Sequence, residues 1–274
     1  MSMRLSIRAL VLIAGLAGWM LVHADAAECP VEADVQWQNE PMNPDLNDLP
    51  SLQRGFRHYV NYCLACHGLQ YQRYERTADD LAIPHDLVEE HLIFSDQMIG
   101  QRMTTAMPTS SSSAWFGVAP PDLTLVAKLR DPEWLYNYLN AFYLDPCRPF
   151  GVNNKVFPNV GMPHVLIDLQ GNQRAVCADV PMTADNGGQA RDPLVPGKVL
   201  TEQQCGILQV EEGTGTLTAE EYRQFTWDLV NFLHYVAEPS RMDRYRIGIY
   251  VILFLIFLAV LTWLLNREFW KDVR

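Results

Sequence analysis

Two cysteines and a histidine stand close together in the first third of the chain, where residues 63–67 read CLACH. This spacing is typical of covalent c-type haem attachment, in which two thiols form thioethers with the porphyrin and the histidine becomes an axial ligand of the iron. Two intervening residues let both sulfurs reach the two vinyl groups, and the adjacent histidine then lies beneath the iron. The pattern predicts one covalent haem c, attached through Cys63 and Cys66 and ligated by His67.

Two other interpretations of this cysteine pair are a redox-active dithiol and half of a zinc site. A zinc site needs a second closely spaced pair of cysteines or histidines, and the sequence offers none to complete it. A redox dithiol is expected near a βαβ pattern, which does not surround residues 63–67. The sequence therefore favours haem over both alternatives.

An iron with one histidine ligand needs a second axial ligand, and a thioether would stabilise ferrous iron and raise the reduction potential. Met162 is the best placed methionine, because residues 157–163 read FPNVGMP and the prolines and glycine fix a non-helical backbone. His164 is the rival ligand, and a bis-histidine iron would have a lower potential. Packing in the core is the other role open to Met162.

Two helices are predicted to hold this site. Residues after Pro50-Ser51 repeat apolar side chains at helical spacing and lead directly into the cysteine motif. A second helix begins at the capping box formed by Thr218 and Glu221, and it ends before Glu238-Pro239. Residues 134–143 carry a further short helical pattern. We therefore expect an all-α, cytochrome c type haem domain.

The two ends of the chain indicate export and membrane anchoring. Residues 1–26 combine two arginines, a short apolar stretch and small residues at a cleavage position, which predicts a signal peptide that is removed. Residues 247–266 carry no charge and, at 1.5 Å per residue, cover about 30 Å, enough to span a bilayer. We expect an exported haem domain over residues 27–240, one transmembrane helix, and a cytoplasmic tail over residues 267–274.

The charge balance argues against nucleic-acid binding. The chain has 21 basic and 32 acidic residues, a formal net charge of −11, and no phosphate-binding glycine motif. Acidic residues in the first third include Asp79, Asp80, Glu89 and Glu90. A solvated face is the ordinary explanation for them, and steering of a basic soluble electron carrier is the sharper hypothesis.

Residues 170–209 are predicted to be an irregular insertion, because they are rich in glycine, proline and aspartate. Four cysteines lie outside the haem motif: Cys29, Cys147, Cys177 and Cys205. An oxidising compartment favours disulfides, and four cysteines allow three pairings. A bond between Cys177 and Cys205 would hold the insertion together and leave Cys29 with Cys147.

The order of several motifs resembles the cytochrome c1 family of quinol:cytochrome c reductase (cytochrome bc1) complexes. The resemblance extends from about residue 35 to the C-terminus. The motifs that carry it are Ser51-Leu52-Gln53-Arg54-Gly55-Phe56, the haem motif, Pro120-Pro121-Asp122-Leu123, Phe157-Pro158, Met162-Pro163, Asp228-Leu229-Val230-Asn231-Phe232-Leu233, Glu238-Pro239 and the terminal anchor.

The resemblance implies roles for individual residues of the site. It makes the two motif cysteines the thioether partners, His67 the proximal ligand and Met162 the distal ligand. The Pro-Pro-Asp-Leu loop runs along the haem in this family and offers a carbonyl to the axial histidine, which points to Pro121. Arg130 and Tyr136 correspond most nearly to an arginine and a tyrosine that lie near a haem propionate.

The resemblance also implies an electron-transfer subunit of quinol:cytochrome c reductase in a bacterial inner membrane, with its haem domain in the periplasm. Such a subunit takes one electron from a Rieske iron-sulfur protein and passes it to a cytochrome c. Quinol oxidation takes place on a partner, the cytochrome b subunit, which the anchor would contact. Two alternatives stay open. One is a free membrane-tethered cytochrome that donates to a terminal oxidase, and the other is a haem-based sensor of small ligands.

Overall fold

A computed structural model describes residues 37–184 and 187–272. The helices are α1 (Leu49–Tyr62), α2 (Tyr74–Asp80), α3 (His85–His91), α4 (Thr109–Phe116), α5 (Val126–Leu129), α6 (Pro132–Asn140), α7 (Ile167–Gln170), α8 (Ala219–Ala237) and α9 (Arg241–Phe269). The strands are β1 (Leu69–Arg73), β2 (Arg102–Met103), β3 (Phe142–Leu144), β4 (Val152–Asn154), β5 (Gln173–Pro181) and β6 (Thr201–Val210). The predicted signal peptide, residues 1–26, lies outside the described residues.

Helices α1 and α8 pack against each other at the centre of the main hydrophobic core. The apolar face predicted for α1 is buried, and it comprises Leu52, Phe56, Tyr59 and Val60. Phe56 stacks on Phe232 of α8 with ring centres 5.4 Å apart. The predicted capping box of α8 is present, whereas α1 begins at Leu49, just before the predicted Pro50-Ser51 start, and is capped by the side chain of Asp48. Periodic apolar side chains and N-terminal capping residues therefore specify the two packed helices, and the first of them leads into the cysteine motif.

An ion pair between a half-exposed arginine and a buried aspartate joins these two helices. Arg54 Nε donates to Asp228 Oδ2 at 2.6 Å, and Arg54 Nη2 donates to Asp228 Oδ1 at 2.9 Å. Gln224 adds a third hydrogen bond to the same carboxylate at 3.0 Å. The Asp228 side chain is almost fully buried, so these partners are needed to offset the cost of taking a carboxylate out of water.

The prediction of an all-α fold is wrong, because the structure contains three two-stranded antiparallel sheets. They pair β1 with β2, β3 with β4, and β5 with β6. These strands are short or largely exposed, so they lack the alternating buried pattern that marks a half-buried strand in a sequence. The helical pattern of residues 134–143 also ends early, since α6 stops at Asn140 and β3 begins at Phe142.

The predicted irregular insertion is instead a long β-hairpin formed by β5 and β6. A disulfide joins Cys177 to Cys205 across the two strands, in the pairing that the sequence analysis favoured. Gln173 ties the base of the hairpin to the domain, because its Nε2 donates to the carbonyls of Asn140 at 3.0 Å and Phe142 at 2.7 Å. Cys147 is also disulfide-bonded, and Cys29 lies outside the described residues.

Helix α9 has the length and composition of a membrane span. The candidate span runs from Asp243 to Phe269. Its most apolar 18-residue window has a mean hydropathy of 2.8, and none of that window is buried against the rest of the protein. The helix contains the predicted span, residues 247–266. A helix that is apolar on every side and exposed along its length fits the lipid core of a membrane.

The environment of His58 predicts a pH-dependent stability. Burial, followed by the charge of Arg57, lowers the pKa of His58 to about 4. The unfolded chain binds this proton from about pH 6.5 downward and the folded chain only near pH 4, so stability is lost as the pH falls through that window. The loss is about 1–2 kcal/mol for this partly exposed ring.

His58→Phe should remove that dependence, because the ring of His58 lies 3.9 Å from Phe225 and phenylalanine can keep this contact. We expect the free energy of unfolding in detergent to fall less between pH 7 and pH 4.5 in the variant than in the parent, as measured by urea titration. Parallel pH profiles in the two proteins would show that His58 is not the group responsible.

Candidate haem site

The cysteine motif begins where α1 ends, so the helix presents it directly. The chain turns there through two hydrogen bonds to the Cys63 carbonyl, from the backbone N–H of Cys66 at 3.0 Å and of His67 at 2.8 Å. The Tyr59 hydroxyl donates to the carbonyl of His67, and the Thr105 hydroxyl donates to the Ala65 carbonyl at 2.6 Å. The motif is therefore a rigid turn held from both sides.

The two motif cysteines are not joined to each other by a disulfide. Burial raises the pKa of Cys63 to about 12 and also raises the pKa of Cys66. Redox-active dithiols need the opposite, a pKa lowered by nearby positive charge or a helix N-terminus. The environment of the pair therefore argues against the dithiol alternative.

His67 faces the Pro-Pro-Asp-Leu loop. Its Nδ1 lies 2.7 Å from the carbonyl oxygen of Pro121, so Nδ1–H donates and Nε2 is the nitrogen with an available lone pair. Burial lowers the pKa of His67 even though the Pro121 hydrogen bond raises it. The imidazole is therefore neutral near pH 7, in the form that binds metals.

Asp122 fixes this loop against the chain that follows the motif. Its Oδ2 accepts from the backbone N–H of Gln70 at 2.7 Å, and its Oδ1 accepts from the backbone N–H of Thr124 at 3.0 Å. The next residue, Leu123, donates its N–H to the Gly68 carbonyl at 2.9 Å. These bonds set the position of the Pro121 carbonyl relative to His67.

Met162 lies in a second, smaller apolar cluster. It packs against a buried group formed by Phe142, Val152 and Val160, and its sulfur accepts a hydrogen bond from the Tyr138 hydroxyl at 3.4 Å. The cluster joins the methionine loop to β3, β4 and α6. These contacts fix the position of the Met162 side chain, as is needed for a side chain that ligates a metal.

Two buried asparagines shape the methionine loop, and sequence reasoning missed both. Asn154 Oδ1 accepts from the backbone N–H of Val156 at 2.9 Å and of Phe157 at 3.0 Å. Asn153 Oδ1 accepts from the N–H of Asn159 at 2.8 Å. The available signal was an Asn-Asn pair directly before a proline and glycine-rich segment, since asparagine side chains commonly satisfy backbone groups in turns.

His164, the rival axial ligand, is engaged in the core. Its Nε2 lies 2.7 Å from Gln170 Oε1, and its ring stacks on Phe142 with centres 4.8 Å apart. Burial lowers the pKa of His164 to about 4. To reach an iron, this ring would have to leave both Gln170 and Phe142.

Arg130 and Tyr136 lie on different sides of α6. The Arg130 guanidinium lies over the rings of Trp134, at 5.0 Å, and Phe157, at 5.9 Å, and so bridges α6 to the methionine loop. Tyr136 is buried on the other side, where burial and the charge of Glu40 raise its pKa. The structure thus places Trp134, and not Tyr136, beside Arg130.

Comparison with known proteins identifies the family of this chain. The model of the Cytochrome C1 family matches residues 37–273. This chain is 47% identical to cytochrome c1 of Allochromatium vinosum over 234 residues, which cover 85% of this chain and 89% of that protein. The chain belongs to the cytochrome c1 family. Cytochrome c1 of Rhodobacter capsulatus is 27% identical over 261 residues, with 83% of this chain and 85% of that protein covered.

A further relative carries a different name. A protein of Nitrosomonas europaea described as ammonia monooxygenase gamma subunit is 40% identical over 229 residues, with 84% of this chain and 86% of that protein covered. The family resemblance drawn from the sequence is confirmed. Membership of the cytochrome c1 family implies a c-type haem, electron transport in a respiratory chain and a place in the bc1 complex.

The acidic residues singled out in the sequence do not form one open patch. Asp80 accepts from Arg76 at 2.6 Å and from the Tyr235 hydroxyl at 2.6 Å, so it serves the packing of α2 on α8. Asp79 pairs with His85 at 2.8 Å, while Glu89 and Glu90 are exposed on α3. Any steering of a basic carrier by this region would depend chiefly on α3.

Proposed function

We propose that the chain holds one covalent haem c, attached through Cys63 and Cys66, with His67 and Met162 as axial ligands. The observation that carries the proposal is the 2.7 Å contact between His67 Nδ1 and the Pro121 carbonyl. A carbonyl in this position fixes the tautomer and ring orientation of a metal-binding histidine and raises its basicity. The family membership supports the same assignment.

Apolar side chains around the motif suit a porphyrin. Leu64, Leu123 and Val126 are only partly buried beside the main core, and Phe157 on the methionine loop is 44% exposed. A flat apolar group would cover such side chains and gain roughly 25 cal/mol for each Å² removed from water. The donor set, one neutral imidazole and one thioether, also matches the ligands of c-type haems.

Met162 is the better candidate for the distal position. Its sulfur contacts only a weak partner, the Tyr138 hydroxyl at 3.4 Å, whereas His164 is bonded to Gln170 at 2.7 Å and stacked on Phe142. Recruiting His164 would leave the buried Gln170 amide without this partner, at a cost of about 1–3 kcal/mol. Ligation by Met162 preserves these contacts.

The residues of the site would tune and protect a one-electron couple. Bound haem supplies that couple, and a histidine–methionine ligand pair raises its potential. The Pro121 carbonyl orients His67, while the apolar cluster beside Met162 partly shields its side chain. The exposed Arg130 guanidinium provides a positive charge that could offset a propionate carboxylate.

Within the cytochrome bc1 complex, we propose that this subunit accepts single electrons from the Rieske iron-sulfur protein and passes them to a cytochrome c. Quinol oxidation then takes place on partner subunits, with cytochrome b beside α9. The orientation follows from the predicted signal peptide: the haem domain lies in the periplasm of a bacterium and residues 267–274 lie in the cytoplasm. The span in α9 supports attachment to the membrane.

Purification from native membranes in mild detergent tests this assignment. We expect b-type haem and an iron-sulfur subunit to copurify with the chain, and its own haem to stay attached in acidified acetone. Recovery of the chain with covalent haem but without b haem would support a free tethered cytochrome instead. Rapid binding of carbon monoxide by the reduced protein would favour a ligand sensor, because it requires an open or labile iron position.

Asp122→Ala tests the role of the loop in orienting His67. The substitution leaves the N–H groups of Gln70 and Thr124 without their carboxylate acceptor, so we expect a loss of about 1–3 kcal/mol of stability. A loosened Pro121 carbonyl should make the imidazole a weaker donor and shift the reduction potential upward.

Redox titration and urea unfolding measure the two effects, and Glu89→Ala on the exposed surface of α3 is the control. A potential equal to that of the parent and the Glu89→Ala control would show that Asp122 does not act on the axial histidine.

A further inference from the structure

Two leucines next to the root of the membrane anchor are exposed. Leu125, which precedes α5, is 51% exposed, and Leu129 at the end of α5 is 80% exposed. The N–H of Leu129 donates to the Leu125 carbonyl at 3.1 Å, so the two side chains stand one helical turn apart on the same side. Together with Lys128 between them they form a small amphipathic face, called here the α5 leucine face.

Ion pairs direct this face toward the anchor. Lys128 Nζ lies 2.8 Å from Glu238 Oε2, in the short segment that joins α8 to α9. The same carboxylate pairs through its other oxygen with Arg244 in the first turn of α9. Lys128 lies three residues after Leu125 and one residue before Leu129. At this helical spacing, all three side chains extend from the same side of the helix. The leucines therefore lie on the side of α5 that faces the root of the span.

The first turns of α9 have the composition of a membrane interface. Arg241 and Arg244 lie over the ring of Tyr245, at 5.8 and 6.0 Å from its centre. Arginine and tyrosine are typical of the headgroup level, and the uncharged run begins at Ile247. Three residues at 1.5 Å each separate Arg244 from Ile247, so Arg244 stands within about 5 Å of the start of the apolar run along the helix axis.

We propose that the α5 leucine face rests in the membrane surface, with Leu125 and Leu129 in contact with lipid and Lys128 at the headgroup level. We favour lipid over a protein partner because Glu238 links Lys128 to the first turn of α9, so the α5 leucine face adjoins the start of the membrane span. Apolar side chains flanking a lysine are the composition of segments that lie in an interface, because the long lysine side chain keeps its charge in water. The haem domain thus has a second membrane contact besides its anchor.

Photo-crosslinking in nanodiscs of phosphatidylcholine and phosphatidylglycerol tests the proposal. Benzoylphenylalanine would replace Leu129 in one full-length protein and Leu194 in a matched control, because Leu194 is a leucine of the β5–β6 hairpin that is 87% exposed. We expect a phospholipid adduct, detected by mass spectrometry, to form several-fold more at position 129 than at position 194.

Equal lipid adduct formation at the two positions would overturn the proposal. The purified complex provides a second arm: cross-linking of position 129 to another subunit, with no lipid adduct, would assign the face to a protein partner and would also overturn it. Leu129 is largely exposed, so its replacement leaves the packing of the domain intact and both arms stay interpretable.

Discussion

Gly55→Ala should destabilise the haem domain by about 3 kcal/mol or more, because α1 and α8 cross at this glycine with no room for a side chain. A β-carbon built at Gly55 would lie 2.1 Å from the carbonyl oxygen of Asp228 and 2.6 Å from the β-carbon of Phe232. The first of these atoms belongs to backbone, so the helices would have to separate. Separation would also strain the ion pair between Arg54 and Asp228.

The consequence should reach the haem, since α1 delivers the cysteine motif. We expect the variant to accumulate with less covalent haem and to unfold at lower urea concentration, measured by haem staining and circular dichroism. Gly100→Ala is the matched control, because the nearest atom to its β-carbon would be 3.7 Å away. Adding Phe232→Ala should not rescue Gly55→Ala, because the contact with the Asp228 carbonyl would persist. Parent-like stability of Gly55→Ala would contradict the close crossing.

The parts of the fold that could be predicted are those in which local pattern and tertiary packing agree. Helix α8 carries a capping box and a long apolar face, and both are present in the structure. The face of α1 is confirmed for the same reason. The spacing CLACH specifies its chemistry within five residues, so the proposed haem ligation needed no knowledge of the fold. The local sequence was sufficient to predict a feature wherever one short segment determines that feature.

The sequence did not predict the features that depend on contacts between residues far apart in the chain. The β5–β6 hairpin is stabilised by a backbone ladder, a disulfide and the bonds of Gln173, and little of this is visible as apolar periodicity. The placement of Tyr136 near a haem propionate stays a prediction, and the structure adds that Trp134 is the α6 ring that contacts Arg130 and the methionine loop. Helical position, at 100° per residue, separates residues 134 and 136 by about 200°. The insertion and the surroundings of Arg130 therefore required the three-dimensional arrangement.

Met162→Leu should produce a large change in the redox behaviour of the proposed site. Leucine keeps the apolar packing against Phe142, Val152 and Val160 but offers no lone pair to iron. We expect the reduction potential to fall by a substantial part of the ~0.8 V range that axial ligands control, because the thioether no longer stabilises ferrous iron. The reduced variant should also bind carbon monoxide rapidly at the vacated position.

Two further substitutions separate ligation from packing. Met103→Leu replaces a fully buried methionine of the main core, so it should change stability slightly and leave the potential and the absorption spectrum unchanged. His164→Gln removes the rival imidazole, and under Met162 ligation its potential should stay close to that of the parent. If Met162→Leu behaves like Met103→Leu while His164→Gln loses the low-spin spectrum, the distal ligand is His164. The ring would then have to exchange its bond to Gln170 for the iron, and the potential of the parent would be correspondingly low.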